Sequence, residues 1–153
     1  MPIDQKLVEQ NRRELDRMRA IVERCTDDDL KGKVNEHWTV AGVLGHIAFW
    51  DARAIVFAQR VERGQPFTPS DAEPEDVDWI NDSTRPFIHA IEPRAAARLA
   101  LELAEEADRR VIPLDPKRLY PTDPDSPLNP DRAGHRGEHL DQIEAALNQR
   151  TMR

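Results

Sequence analysis

The sequence predicts an all-α fold, a four-helix bundle with long connecting loops, and three observations predict it. Four segments repeat apolar residues at three- and four-residue steps, the period of one helical face. None alternates apolar and polar residues with the period of two that a half-buried strand requires. Pro-, Gly- and Asp-rich stretches separate the periodic segments, and long amphipathic helices joined this way bury their stripes by packing together. At 153 residues the chain reads as one domain, 1–153. A chain of that size buries ~70% of its unfolded surface, enough for a core without disulfides.

The first helix is expected from about Asp4 to Glu23, with Leu7, Val8, Leu15, Met18, Ile21 and Val22 as its stripe and Asp4 as its cap. The second opens at Thr39, a good N-cap, and runs to about Glu62, where Arg63-Gly64 reads as a stop. Val40, Val43, Leu44, Ile47, Ala54, Ala58 and Val61 make its core face. A loop follows from Gly64 to Pro74. The third region spans about Glu75 to Val111. Pro86 and Pro93 are expected to break or kink it, giving a short helix and then a long one, Pro93 to Val111, with Ala95, Leu99, Leu103 and Ala107 as the apolar rail. Six prolines and several Asp fill Pro113 to Pro130, a stretch long enough to suggest a functional loop. Asn129-Pro130 then reads as an N-cap with proline in the first turn, and the last helix runs to about Gln149.

Charge and cysteine content exclude several function classes. With 22 Lys+Arg against 29 Asp+Glu, the net charge of -7 argues against a nucleic-acid partner. The basic residues are interspersed with acids, so no polybasic patch marks a lipid surface. Cys25, the single cysteine, rules out an intramolecular disulfide and has no evident histidine base. No apolar run approaches the ~18 residues of a membrane span, and Met1-Pro-Ile-Asp-Gln-Lys does not read as a secretion signal. The expectation is a cytoplasmic protein with no membrane association.

Five histidines carry the chemistry on offer: His37, His46, His89, His135 and His139. His135 and His139 lie one helical turn apart, so both imidazoles share a face and suit two ligands of one transition metal. The alternative is a pair of solvated surface histidines. The pair flanks the stripe Leu140, Ile143, Leu147, and Gly134 and Gly137 in the same turns suggest room for a ligand or a close neighbour. His46, in Val43-Leu-Gly-His-Ile-Ala-Phe-Trp-Asp, stands on the flank of the second stripe beside Trp50. Alone it would read as a core histidine bonded to a carbonyl. Facing the pair across a bundle, it completes a three-histidine set whose open fourth position is the mark of a catalytic site.

Trp38-Thr-Val-Ala-Gly-Val-Leu-Gly-His46-Ile-Ala-Phe-Trp-Asp51, followed far downstream by His135-x-x-x-His139-Leu-x-Gln-Ile, resembles the DinB/YfiT-like superfamily. That group includes metal-dependent hydrolases, maleylpyruvate isomerases and bacillithiol or mycothiol transferases. The resemblance spans essentially the whole chain and implies a homodimeric four-helix bundle. It also implies a divalent transition metal, zinc or nickel, held by His46, His135 and His139. The implied function is a metal-dependent enzyme, a hydrolase or thiol S-transferase, that turns water or a low-molecular-weight thiol on a small electrophilic substrate. Isomerisation is disfavoured, because the additional C-terminal region of the maleylpyruvate isomerases has no counterpart in this sequence. The competing reading is a non-catalytic metal-binding bundle of a stress response, its site closed by an acid such as Asp123, Asp125 or Asp131.

His135-Arg-Gly-Glu138-His139 also spells H-x-x-E-H, the inverted zinc-protease signature. Glu144 is the sole glutamate after it, and Glu138 projects to the side of the pair, so the match reads as chance. Asp51 on an apolar stripe is unusual and reads as structural. Gln142 is placed to reach a metal-bound group. Trp50 and Trp79 are candidates for a pocket wall or for core, while His37 and His89 have no partner in the pattern.

Overall fold

The computed structural model describes residues 4–65, 74–114 and 130–152, with side chains from residue 76 onward in the middle stretch. Six helices are present among the described residues: α1 (Gln5–Arg24), α2 (Asp27–Lys31), α3 (Val40–Glu62), α4 (Pro74–His89), α5 (Pro93–Val111) and α6 (Arg132–Thr151). No strand occurs among the described residues, only an isolated bridge between Lys33 and Thr39. The fold is all-α. The four long helices α1, α6, α3 and α5 touch in that cyclic order, and α4 packs on the outside of α3. α3 and α6 are therefore neighbours, while α5 and α6 face each other across the bundle.

The caps explain most of the boundaries. Asp4 accepts from the Lys6 amide and Thr39 from the Gly42 amide, as expected of N-cap oxygens. α3 ends at Arg63, and Gly64 takes the left-handed conformation (φ 70°) that glycine adopts without cost. The short α2 was not expected. Its start is a capping box, Thr26 with Asp29, inside a segment too short for periodicity to register.

The third region divides, as expected, into two helices, the long one running from Pro93 to Val111; Pro86 lies inside α4, which continues to His89. Its ring is exposed and the helix stops three residues later, so little hydrogen bonding is lost. The break falls at Glu92, whose side chain caps the Arg94 and Ala95 amides, with Pro93 opening α5. The core face of α5 is Ala96, Ala97, Ala100, Ala104, Ala107 and Val111, not the rail through Ala95, Leu99 and Leu103. Alanines let α5 approach α3 closely, and the larger leucines lie on the flanks. α6 begins at Arg132 with Asp131 as N-cap, accepting from the Gly134 amide; Asn129 lies outside the described residues.

α3 is long and apolar enough to cross a membrane, which the reading of separate apolar runs missed, but 67% of that window is buried inside the bundle. Its hydropathy is that of a core helix. The core comes in two parts. The larger joins Leu15, Met18 and Ile21 of α1, Leu44 and Ile47 of α3, Ala97 and Ala100 of α5, and Leu140, Ile143 and Leu147 of α6. A smaller cluster, Ala54, Ala58, Val61, Val111 and Leu114, closes the far end of α3 and α5. Between them lies a layer of buried polar side chains: Asn11, Asp51, Asp108, Arg132 and Arg136.

Candidate metal centre

His46 occupies the second turn of α3, and His135 and His139 the first two turns of α6. Because these helices are neighbours, the structure brings all three rings together. Centroids are 4.7 Å apart for His46–His139 and for His135–His139, and 5.3 Å for His46–His135. One nitrogen from each ring lies within 4.8 Å of the others, a span one ion can bridge after small side-chain rotations.

Protonation favours ligation. Burial, and then the neighbouring His139, lowers the pKa of His46 to about 4. Burial also holds His135 well below the usual histidine value, reinforced by His139 and the Arg132 cation. Both imidazoles are neutral at physiological pH, as metal binding requires. The Nδ1 atoms of His46 and His135 are buried without a hydrogen-bond partner among the described residues. A core histidine bonded to a carbonyl would not leave such atoms unpaired, since buried polar groups nearly always find partners. His139 differs, because its Nδ1 pairs with Gln142 Oε1 at 3.1 Å. With Nδ1–H donating, Nε2 keeps the lone pair a metal needs, the usual orientation device for a ligating histidine. Gln142 thus contacts the histidine itself rather than a metal-bound group.

Aromatic rings flank His46 on two sides. Trp38 lies 5.4 Å away and Trp50 6.5 Å, edge-on, with the Trp50 Nε1–H donating to Asn81 Oδ1 of α4 at 2.8 Å. Trp79 is 75% exposed, so it is neither core nor a wall of this site. His37 is exposed, and His89 packs against Trp38 at 5.3 Å without joining the cluster. Glu138 is exposed and Glu144 is paired with Arg17 at 3.0 Å, so neither completes a protease signature. Cys25 is buried and caps α1, and burial raises its thiol pKa, leaving it unreactive. Of the acids considered for a fourth ligand, Asp131 caps α6 and is not in the cluster, and Asp123 and Asp125 lie outside the described residues.

The α6 glycines are not the closely packed ones, contrary to expectation. A Cβ at Gly134 would come no nearer than 3.4 Å to Asp131, and one at Gly137 no nearer than 3.5 Å to Glu14, both ordinary contacts. Neither glycine makes room for a close neighbour. The tight helical glycines are on α3: a Cβ at Gly42 would collide with His89 Nε2, and one at Gly45, next to His46, would fall 2.6 Å from Ile88 Cγ2 of α4. The absence of both lets α4 lie against α3 beside the site.

Asp51 is structural, as its position on an apolar stripe suggested, but its partners were not foreseen. Its Oδ1 accepts from Arg132 Nε and Nη2 at 3.0 and 2.9 Å, and Arg136 reaches both its oxygens at 3.4 Å. Arg136 crosses the bundle and forks onto Asp108 of α5 at 3.0 and 2.9 Å. Burial works against the Arg136 charge, but Asp51 and Asp108 more than offset it and raise its pKa. A signal did exist in the sequence. Extending the α6 stripe back from Leu140 in steps of four lands on Arg136 and Arg132, while Asp51 and Asp108 stand on the stripes of α3 and α5.

A family model described as the DinB superfamily matches residues 10–148, a span that includes all three histidines. No curated protein and no solved structure gives a significant match. On that match, and with an all-α bundle beneath it, the chain belongs to the DinB superfamily.

Proposed function

We propose that the chain is a metal-dependent enzyme in which His46, His135 and His139 hold a divalent transition metal, zinc or nickel. The observation that carries this reading is the convergence of three imidazoles, two of them with a buried Nδ1 that has no partner among the described residues, on adjacent helices of a DinB bundle. Three protein ligands leave a position open. A metal held there lowers the pKa of the water or low-molecular-weight thiol that takes this position, supplying a nucleophile near neutral pH.

The chain's own residues keep the site ready for that chemistry. Gln142 fixes the tautomer and orientation of His139. Trp38 and Trp50 place apolar rings beside His46. The substrate in this reading is a small electrophile, and the reaction is thiol S-transfer or hydrolysis. A cytoplasmic location and a homodimer belong to the same reading. The dimer would cover Trp79 and Phe87, which are 75% and 76% exposed on α4. Equilibrium sedimentation at the monomer mass would remove it.

Elemental analysis of the purified protein and of His139→Ala is the deciding test. Near-stoichiometric zinc or nickel, lost in the variant, is expected, and turnover of an electrophile with an added thiol or with water should follow the metal. Metal without turnover would turn the reading to the non-catalytic bundle. No metal in either protein, after incubation with zinc and nickel, would overturn it.

A further inference from the structure

The two turns of α6 that carry His135 and His139 have an odd makeup. From Arg132 to His139 the buried residues are Arg132 and Arg136, and apolar burial begins only at Leu140. Two glycines, Gly134 and Gly137, stand in the same eight residues, and neither is tightly packed. Glycine weakens a helix, and a helix end without a buried apolar stripe has little to hold it. Yet these turns must place two rings against His46 on another helix.

Polar groups from each of the other three long helices meet this segment. Asn11 of α1, 1% exposed, accepts from the Arg132 and Ala133 amides at 3.0 and 2.9 Å and donates to the Pro130 carbonyl at 2.8 Å. It satisfies from outside two of the amides that a helix start leaves unpaired. Asp51 of α3 receives Arg132 and Arg136. Asp108 of α5 receives the Arg136 fork, and the Ala104 carbonyl of the same helix accepts from Nη2 at 3.1 Å. Asp51 lies five residues beyond His46 on α3, so one carboxylate ties the helix bearing the first histidine to the turns bearing the other two.

We infer that Asn11, Asp51 and Asp108 are positioning residues: together they hold the first two turns of α6 and thereby set His135 and His139 against His46. Hydrogen bonds are directional and apolar contacts are not. A three-way polar hold sets the rotation and height of a helix end more closely than a stripe of leucines would. The hold is a property of the metal-free chain, whereas its effect on affinity rests on the metal reading proposed above.

The test uses the full chain, with Asn11→Ala as the mild variant, since it removes the α1 hold and keeps all four charges. Asp51→Asn is the stronger one, and Ile143→Val, in the apolar part of α6, is the control for general loss of stability. Two readouts separate the claims. In metal-free protein, amide hydrogen exchange over 134–139 is expected to accelerate at least about tenfold in Asn11→Ala relative to 143–149, and ring-to-ring NOEs among the three imidazoles to weaken. Zn2+ affinity is expected to fall about 10- to 100-fold in the same variant, the usual loss when a group supporting a metal ligand is removed. Ile143→Val should lower Tm with neither effect. If Asn11→Ala lowers Tm but leaves local exchange and Zn2+ affinity at wild-type values, the hold is overturned, whether or not Asp51→Asn folds. If wild type takes up no Zn2+ while Asn11→Ala selectively loosens 134–139, the metal reading falls and the hold stands.

Discussion

The two ends of α6 are built on different principles. From Leu140 onward the helix is held as bundle helices usually are, by Leu140, Ile143 and Leu147 packed against α1 and α3 in the main core. Before Leu140 it is held by two arginines, two aspartates and an asparagine, all buried and all paired. The histidines stand on the second kind of support. Apolar packing tolerates small shifts at low cost, so it suits the part of the helix that only has to be buried. A buried charged network is costly to disturb, because any unpaired member leaves a charge out of water. It therefore suits the part that must hold an imidazole within an ångström or so.

The largest expected effect comes from breaking the polar layer on one side only. Asp51→Ala leaves Arg132 and Arg136 short of a counter-charge and should cost about 3–5 kcal/mol in urea denaturation. Removing Asp108 and Arg136 together, as Asp108→Leu with Arg136→Met, should cost far less than either single change, since no charge is then left unpaired. A double variant as unstable as the sum of the singles would mean that the layer does not behave as paired charges.

Next in size is a dependence on acid in the metal-free protein. His46 holds its proton more weakly folded, at about 4, than unfolded, near 6.5. Between those values the unfolded chain binds more protons, so stability falls as pH drops from 6.5 towards 4, by on the order of 3 kcal/mol from this residue. His46→Gln should flatten that slope, as denaturation midpoints across the range would report. An unchanged slope would mean that the imidazole protonates freely in the folded state.

The closely packed seam of α3 and α4 should respond to one added methyl. Gly45→Ala would force Ile88 aside and is expected to cost about 1–3 kcal/mol. Gly137→Ala, on the hydrogen-bonded part of α6, meets only the ordinary contact with Glu14 and should stabilise by about 0.5–1 kcal/mol. Opposite signs at these two helical glycines, read from thermal melts, would show that Gly45 serves packing and Gly137 does not. A destabilised Gly137→Ala would mean that the polar end of α6 is packed more tightly than its contacts indicate.

Much of this was legible in the residues. The stripes of α1, α3 and α6 lie where the three- and four-residue steps put them, because each helix carries its own period and its own cap. Of the α5 rail, Ala107 lies on the core face, while Ala95, Leu99 and Leu103 fall one residue off it, since periodicity weighs leucine above alanine, whereas a close helix pair selects the smaller side chain. Whether Pro86 ends a helix or lies within one depends on how many turns follow it, which the local sequence does not state.

The site divides along the same line. That His135 and His139 share a face, and that His46 lies on the flank of α3, follows from helical geometry, a property of neighbouring residues along one chain. That α3 and α6 are neighbours, that Arg136 spans the bundle to Asp108, and that Asn11 closes the start of a helix 121 residues away are decided only when four helices pack. Those pairings depend on which charges become buried opposite one another, and burial is a property of the assembled fold.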